Sequence, residues 1–163
     1  MACWRPAYVA LGSNLDGPRY QVGKALERLA RLPDSQLVCY SALYSSAPFG
    51  PVEQPRFVNA VAALLTMTGS RELLSHLKDL ELALGRDPAG QRWGPRRIDL
   101  DLLQLGVECA NDDQLQLPHP GIVQRNFVLY PWAEIAPELW VPGVGRVADL
   151  ARAISPAGLT RLD

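Results

Sequence analysis

The sequence of 163 residues has only three cysteines, Cys3, Cys39 and Cys109, and none of them lies in a CxxC pair. This number and spacing exclude a disulfide framework and a cysteine-based zinc site, and they favour a reducing compartment, so we expect a cytoplasmic protein. Long apolar runs are also missing: none could span a membrane, and the N-terminus shows no signal peptide. We therefore expect no membrane partner.

A net charge of either sign is nearly absent, since 16 basic and 17 acidic residues leave −1. Without an overall basic field we expect no nucleic-acid partner, and any phosphate chemistry must depend on a local cluster. Neither a Walker A loop nor a GxGxxG loop occurs. The length and the 48% apolar content fit one domain over residues 1–163, and no obvious exposed apolar stripe is present, so we expect a monomer.

The patterns that are present predict an α+β protein. Strands are predicted at 7–11, 37–44, 57–66 and 98–105, and helices start near Pro18 and Ser70. The order strand, helix, strand, strand, helix, strand is typical of a ferredoxin-like βαββαβ sandwich with an antiparallel sheet and additional C-terminal elements. A short strand at 115–117 should pair back on the last of these strands, and a short helix is predicted at 147–154.

Two aspartates interrupt the apolar strand at 98–105. Asp99 and Asp101 are two residues apart and therefore share one face of the strand, while Ile98, Leu100 and Leu102 face the core. The pair could simply face solvent, but aspartate is a poor strand former, and two on one face favour a functional site. One magnesium ion, or two, would relieve the repulsion between the carboxylates.

Basic side chains cluster near these aspartates in the sequence. They are Arg86, Arg92, Arg96 and Arg97 upstream and His119 and Arg125 downstream. Each alone would be a solvated surface charge, but together with the acidic pair they have the composition of a phosphoryl-transfer site. Arg96 and Arg97 should face opposite ways, so we expect only one of them to be functional.

Two Pro- and Gly-rich loops, at 45–57 and 86–95, are long enough to favour a function. Trp93 in the second loop is either a core residue or the anchor of a lid. Asn59 lies on an otherwise apolar strand, on the same face as Phe57, and a buried amide there needs partners, which a ligand could supply. On general grounds we expect Phe57 and Phe127 to be core residues rather than ligand-stacking residues.

Six stretches, in the same order, resemble the 6-hydroxymethyl-7,8-dihydropterin pyrophosphokinase family of folate biosynthesis. They are YVALGSNL (8–15), GPVEQPRFVNAV (50–61), LELALGR (80–86), RWGPRRIDLDLL (92–103), LPHPGIVQRNFVL (117–129) and EIAPEL (134–139). The resemblance implies a ferredoxin-like enzyme that transfers the β,γ-pyrophosphoryl group of ATP to the pterin hydroxymethyl group and releases AMP. It also implies two Mg²⁺ ions held by Asp99 and Asp101.

The same resemblance implies the roles of the other site residues. It places Phe57 and Phe127 on either side of the pterin ring and Asn59 at the pterin edge. The remaining pterin contacts that we expect are Ser46, Ala47, Phe49, Trp93 and Asp99. The expected ATP contacts are Glu81, Arg86, Arg92, Arg96, Leu102, His119 and Arg125, and the expected catalytic residues are Arg86, Arg96, Asp99 and Asp101.

Two other functions fit parts of the sequence. A nucleotidyltransferase or cyclase palm also sets paired carboxylates on a ferredoxin-like sheet, and it would release pyrophosphate instead of AMP. A ligand-sensing domain on the same fold would bind without turnover and would not need the aspartate pair.

Overall fold

The computed structural model describes residues 2–162 of the chain. In chain order its elements are β1 (Arg5–Ser13), α1 (Pro18–Leu29), β2 (Ser35–Tyr40), β3 (Tyr44–Ser46), β4 (Phe57–Thr66), α2 (Ser70–Ala83), β5 (Asp99–Leu105), β6 (Ala110–Asn111), β7 (Gln116–Leu117), a 3-10 helix (Ile122–Gln124), α3 (Asn126–Ile135), β8 (Trp140–Val141), β9 (Gly145–Arg146), α4 (Val147–Ala153) and β10 (Leu159–Arg161). Among residues 2–162, no helix is both long and apolar enough to cross a membrane.

Six strands form one antiparallel sheet organised around β4. Along one side β4 pairs with β1, and along the other it pairs first with β3 and then with β2. β5 pairs with β1, and β10 pairs with β3, so the path across the sheet is β10-β3-β4-β1-β5. The α+β class and the antiparallel sheet predicted from the sequence are thereby confirmed.

The two faces of the sheet are covered by different helices. α1 and α2 pack on one face, where Leu29 and Leu77 meet Leu100 in a closed apolar cluster. Fully burying each such leucine contributes about 1.5–3 kcal/mol to folding. α3 and α4 cover part of the other face around Trp132, which is completely buried. Because side chains alternate along a strand, the aspartates of β5 emerge on this second face.

Several sequence predictions match the elements closely. The strand at 57–66 and the helix starts at Pro18 and Ser70 are confirmed, and α4 falls within the predicted helix at 147–154. Pro18 follows Gly17, whose φ of 73° lies in the left-handed region that glycine adopts without strain.

Other predictions were wrong. The segment 37–44 is two strands, because the chain leaves β4 between them: the Ser41 hydroxyl accepts the N–H of Val61, and the Glu134 carboxylate accepts the N–H of Ala42. β7 pairs with β6 in a separate ribbon and not with β5.

Several C-terminal elements were predicted only in part or not at all, and among them are α3, the short strands β8 and β9, and β10. α3 runs from Asn126 to Ile135 where only a helical turn was expected, because its internal Pro131 obscures the helical pattern. β10 was not predicted, since three residues carry too little alternation to indicate a strand.

Candidate active site

A cavity of about 370 Å³ opens on the second face of the sheet, where β1, β4 and β5 approach the start of α3. Acidic and basic side chains line one part of it and aromatic side chains the other. The lining includes the predicted residues Ser46, Ala47, Phe49, Phe57, Asn59, Glu81, Arg86, Arg92, Trp93, Arg96, Asp99, Asp101, His119, Arg125 and Phe127. The fold therefore brings together nearly all of the residues proposed from the sequence.

Asp99 and Asp101 lie side by side on β5 at the floor of this cavity. Asp99 contacts the guanidinium of Arg86 at 3.0 Å, and Asp101 lies 3.6 Å from that of Arg125. Burial raises the pKa of both carboxyl groups, and the charge of Asp101 raises that of Asp99 further, whereas the arginines oppose the shift. The pair is thus held in an environment that favours a cationic partner.

The sequence-predicted metal ligands are consistent with magnesium. Among residues 2–162 no cluster of three or more His, Cys, Asp or Glu side chains could hold a metal ion. Mg²⁺, however, keeps several waters and is usually held by one or two carboxylates together with substrate phosphates. Two adjacent carboxylates facing a cavity lined by arginines fit that requirement.

Glu81 lies beneath the aspartates on α2, with 4% of its surface exposed. One carboxylate oxygen accepts the N–H of Leu100 at 2.7 Å, and the other accepts a hydrogen bond from Arg86. Its polar atoms therefore support β5 and orient Arg86, which in turn faces Asp99. The structure places Glu81 at the cavity wall with both oxygens already engaged by the protein.

The two neighbouring arginines of the RWGPRR motif are separated as predicted. The side chain of Arg96 lines the cavity, and its backbone N–H donates to the side-chain oxygen of Asn14 at 2.8 Å. Arg97 instead pairs with Asp16 at 2.6 Å. β5 begins only at Asp99, so the two arginines precede regular strand geometry and strand alternation does not decide which of them faces the cavity.

His119 lies against the acidic pair as a neutral side chain. Burial, followed by the charge of Arg125, lowers its pKa to about 4. Its Nδ1 accepts the N–H of Gly121 at 3.0 Å, so the remaining proton is on Nε2, which lies 3.9 Å from the Asp101 carboxylate. His119 is therefore a hydrogen-bond donor in this cavity and not a cation.

The aromatic part of the cavity is formed by side chains from three separate segments. Phe49 lies 5.7 Å from Trp93 and 6.2 Å from Phe127, measured between ring centroids. Arg125 lies over the Phe49 ring and Arg92 over the Trp93 ring. Trp93 thus faces the cavity and is not a core residue.

Asn59 forms the polar edge of the aromatic part. Its amide nitrogen donates to the hydroxyl of Ser46 at 2.7 Å and to the carbonyl of Tyr44 at 3.3 Å. A Cβ on residue 12 would lie 3.3 Å from the side-chain oxygen Oδ1 of Asn59. Glycine at this position therefore leaves space beside that oxygen. The buried amide is therefore fixed in orientation by the protein.

Leu102 is the one predicted site residue that lies outside the main cavity. It belongs to the apolar core, with 3% of its surface exposed, and lines a second cavity of about 450 Å³. The two cavities adjoin, since both are lined by Lys78, Asp101 and His119. The two cavities therefore meet beside Asp101.

Sequence reasoning missed Lys78 and Asn14. Lys78 lines both cavities from α2, where a single lysine on an amphipathic helix gives no distinctive signal. Asn14 is buried and donates to Gln54 and to the carbonyl of Pro55, both at 2.9 Å, while accepting the N–H of Arg96. Asn14 thus connects the loop at 45–57 with the segment that ends at Arg96. In the sequence, only its place in the GSN stretch indicated this role.

A family model described as 7,8-dihydro-6-hydroxymethylpterin-pyrophosphokinase (HPPK) matches residues 8–137. The chain belongs to this family. A 2-amino-4-hydroxy-6-hydroxymethyldihydropteridine pyrophosphokinase of Pseudomonas aeruginosa is 46% identical over 155 residues, which cover 95% of each chain. The protein of the same name from Haemophilus influenzae is 38% identical over 157 residues, covering 96% of this chain and 98% of the relative.

Solved structures support the fold of the HPPK family. A crystal structure of a Plasmodium falciparum HPPK-DHPS protein superposes with a TM-score of 0.76 over 99% of this chain. The sequence identity is only 12%, so this likeness concerns the fold alone. This chain spans about half of that protein, since the match covers 49% of it.

Proposed function

We propose that Asp99 and Asp101 are the centre at which this chain joins its two substrates. Transfer of a pyrophosphoryl group from ATP to 6-hydroxymethyl-7,8-dihydropterin, a step of folate synthesis, is the function of the HPPK family, and the chain is a pyrophosphokinase. The observation that carries the residue assignment is the acidic pair at the junction of a cationic pocket with an aromatic pocket. Each substrate finds complementary chemistry on its own side of the pair.

The phosphate side consists of the cationic groups around the aspartates. Arg86, Arg92, Arg96, Lys78 and Arg125 offer nitrogen donors to the triphosphate, and guanidinium groups bind phosphate oxygens with two parallel hydrogen bonds. His119 donates from Nε2. The nucleoside would extend into the second cavity, which Leu102 lines, with Glu81 supporting Arg86 from below.

The pterin side consists of the aromatic rings and the fixed amide. Phe57 and Phe127 would stack on the two faces of the pterin, with Phe49 and Trp93 closing over it. Asn59 would hydrogen-bond the ring edge, beside Ser46 and Ala47. This orientation directs the hydroxymethyl group toward Asp99.

The reaction forms one bond to phosphorus and breaks another, and the attacking hydroxyl gives up its proton to solvent. The hydroxymethyl oxygen bonds to the β-phosphorus, and the bond from that phosphorus to the oxygen bridging to the α-phosphate breaks, releasing AMP. Mg²⁺, for which we propose two ions on Asp99 and Asp101, would neutralise phosphate charge and acidify the attacking hydroxyl. Arg86 and Arg96 offset the charge that develops on the leaving oxygen. Positioning and electrostatics suffice, so no covalent intermediate is needed.

Four general properties belong to the same proposal: the fold type, the number of domains, the cellular location and the oligomeric state. The strand order β5-β1-β4-β2 supports the ferredoxin-like arrangement, with β3 and β10 as additions. The match along nearly the whole Pseudomonas relative supports one domain over residues 1–163. Three exposed free cysteines support a reducing cytoplasm. Apart from Val38 and Tyr40, which share β2, and the contacting pair Phe49 and Trp93 at the cavity, the large exposed apolar side chains lie on different segments, which supports a monomer.

Product analysis tests the proposal. The protein is incubated with ATP, Mg²⁺ and hydroxymethyldihydropterin, with single omissions of pterin and of metal, and the nucleotides are separated by chromatography. We expect AMP only when all three are present. Formation of ADP or of free pyrophosphate would replace the proposed reaction, and binding of ATP without turnover would indicate a ligand-sensing domain.

A further inference from the structure

The turn at residues 155–158 lies between α4 and β10, beyond the part of the chain that the family model matches. It contributes no side chain to the cavity lining. Its backbone carbonyls, however, accept hydrogen bonds from residues that flank the aromatic part of the cavity. This turn is therefore close to the pterin site without forming part of its surface.

Donors from two separate segments converge on the turn. The amide nitrogen of Asn126 donates to the carbonyls of Ser155 and Ala157, both at 3.0 Å. Arg56 donates to the carbonyl of Gly158 at 2.7 Å. The Asn126 amide donates both of its hydrogens, and the Arg56 guanidinium donates to a carbonyl. These hydrogen bonds fix the positions of both side chains relative to the turn.

The backbone of the cavity wall is attached to the same turn. The N–H of Ala47, which lines the cavity, donates to the carbonyl of Gly158 at 3.2 Å. β10, directly after the turn, pairs with β3, whose last residue is Ser46. Gly158 has a φ of 77°, and a Cβ there would contact Ala47, so the turn fits closely against the wall.

The sequence positions of the two donors connect the turn to the two rings proposed to stack on the pterin. Arg56 immediately precedes Phe57, and Asn126 immediately precedes Phe127. The two rings come from β4 and α3, which belong to separate parts of the chain. One short turn thus accepts hydrogen bonds from the residue before each ring. It also accepts one from Ala47, which lies in the cavity wall where β3 ends and the loop at 45–57 continues.

We infer that the turn at 155–158 is a positioning element that sets the separation of Phe57 and Phe127, with Asn126 and Arg56 as the positioning residues. This inference rests on the proposed stacking of the pterin between these rings. A flat ring is bound tightly only when both aromatic faces are within contact distance, so a small change in their separation lowers pterin affinity. On the phosphate side Arg86 is held by Glu81 and the backbone of Arg96 by Asn14, so within that group only Arg125 lies next to a residue that the turn holds.

The substitution Asn126→Leu tests the inference because it keeps the size and neutrality of the side chain and removes both donations. We expect the KM for the pterin to rise about tenfold, as the loss of two hydrogen bonds predicts, while the KM for ATP stays within about twofold. Asn126→Gln keeps the donors and should recover part of the loss. A pterin KM equal to that of the wild type would overturn the inference.

Tyr130→Phe is the matched control. Tyr130 lies one helical turn after Asn126 and donates to the carbonyl of Ile154 at 3.0 Å, so this variant also loses a bond to the C-terminal segment, but outside the turn. It should lower the unfolding temperature without a selective change in pterin KM. Equal pterin defects in Tyr130→Phe and Asn126→Leu would show general loosening and would overturn the inference.

Arg56 gives an independent second test, which applies even where Asn126→Leu does not fold. Arg56→Ala should raise the pterin KM selectively, and Arg56→Lys, which retains a donor, should raise it less. An unchanged pterin KM in Arg56→Ala would contradict the inference. If wild-type protein forms no AMP in the presence of pterin, the proposed function fails, whereas an active wild type with unaffected variants refutes only the role of the turn.

Discussion

The two sides of the cavity are built by different means. On the phosphate side, charged side chains are held by one another and by buried polar groups, as in the chain from Leu100 through Glu81 and Arg86 to Asp99. On the pterin side, rings from distant segments are held by packing and by hydrogen bonds to the backbone. The first side carries repulsion between neighbouring carboxylates, while the second is a preformed surface. The comparison implies that mutations should affect chemistry on one side and affinity on the other.

The sharpest test of this difference is neutralisation of the acidic pair. Asp99→Asn or Asp101→Asn should lower kcat by about a thousandfold or more, since the several kcal/mol that a metal site supplies to the transition state are lost. Because burial and neighbouring carboxylates, Asp101 beside Asp99 and Glu81 beside Asp101, raise both pKa values, the free energy of unfolding at neutral pH should be equal to or higher than in the wild type. Steady-state kinetics and urea unfolding measure the two effects. A loss of less than tenfold in kcat would remove the metal-ligand role.

The adjacent arginines allow a matched comparison within the phosphate side. Arg96→Ala should lower kcat about a hundredfold, as removal of one transition-state donor does elsewhere. Arg97→Ala should change kcat by less than about threefold, because its partner Asp16 lies in an exposed ion pair away from the cavity. Parallel kinetic assays of the two variants check this. Similar losses in both would mean that position relative to the cavity does not decide function.

On the pterin side the expected effect is on affinity. Phe127→Ala should weaken pterin binding by about 1–3 kcal/mol, which is about five- to 150-fold, since a stacking surface is lost. ATP affinity should stay unchanged. Titration calorimetry with each substrate measures both, and Tyr20→Ala, which removes an exposed ring on α1, is the control. Unchanged pterin affinity in Phe127→Ala would argue against the aromatic sandwich.

The last expected effect concerns stability rather than catalysis, through His119 and pH. Its folded pKa of about 4 lies below the ordinary value of 6.5, so the unfolded chain binds the proton more tightly. The stability that neutral His119 contributes is therefore complete above about pH 6.5 and is lost as the pH falls toward 4. The difference in unfolding free energy between the wild type and His119→Gln should change across this window by about 1.4 kcal/mol per unit of pKa shift. A difference that stays constant with pH would show that burial does not hold His119 neutral.

Local patterns in the sequence were sufficient to predict that Asp99 and Asp101 share one face of a strand at the candidate site. The alternation of β5 alone places Asp99 and Asp101 opposite Leu100, because strand geometry fixes side-chain direction without reference to the rest of the fold. The resemblance to the family added the aromatic residues and Asn59, which local patterns could not assign. It also indicated Arg96 as the functional arginine, and the structure places that residue at the cavity.

What the sequence could not supply depends on contacts between distant residues. The role of Glu81 beneath β5 arises from a hydrogen bond to a backbone N–H, and the turn at 155–158 acts through carbonyls, so neither leaves a sequence signal. Lys78 resembled any solvated lysine on an amphipathic helix. Strand alternation could not decide which of Arg96 and Arg97 faces the cavity, because both residues precede β5.

The fate of the phosphates of ATP tests the central assignment most directly. ATP labelled separately at the α- and γ-phosphorus is incubated with the protein, Mg²⁺ and hydroxymethyldihydropterin, and the products are separated and counted. Attack at the β-phosphorus beside Asp99 and Asp101 predicts that the γ label appears in the pterin product, while the α label remains entirely in AMP. An α label in the pterin product would contradict this assignment and identify nucleotidyl transfer instead.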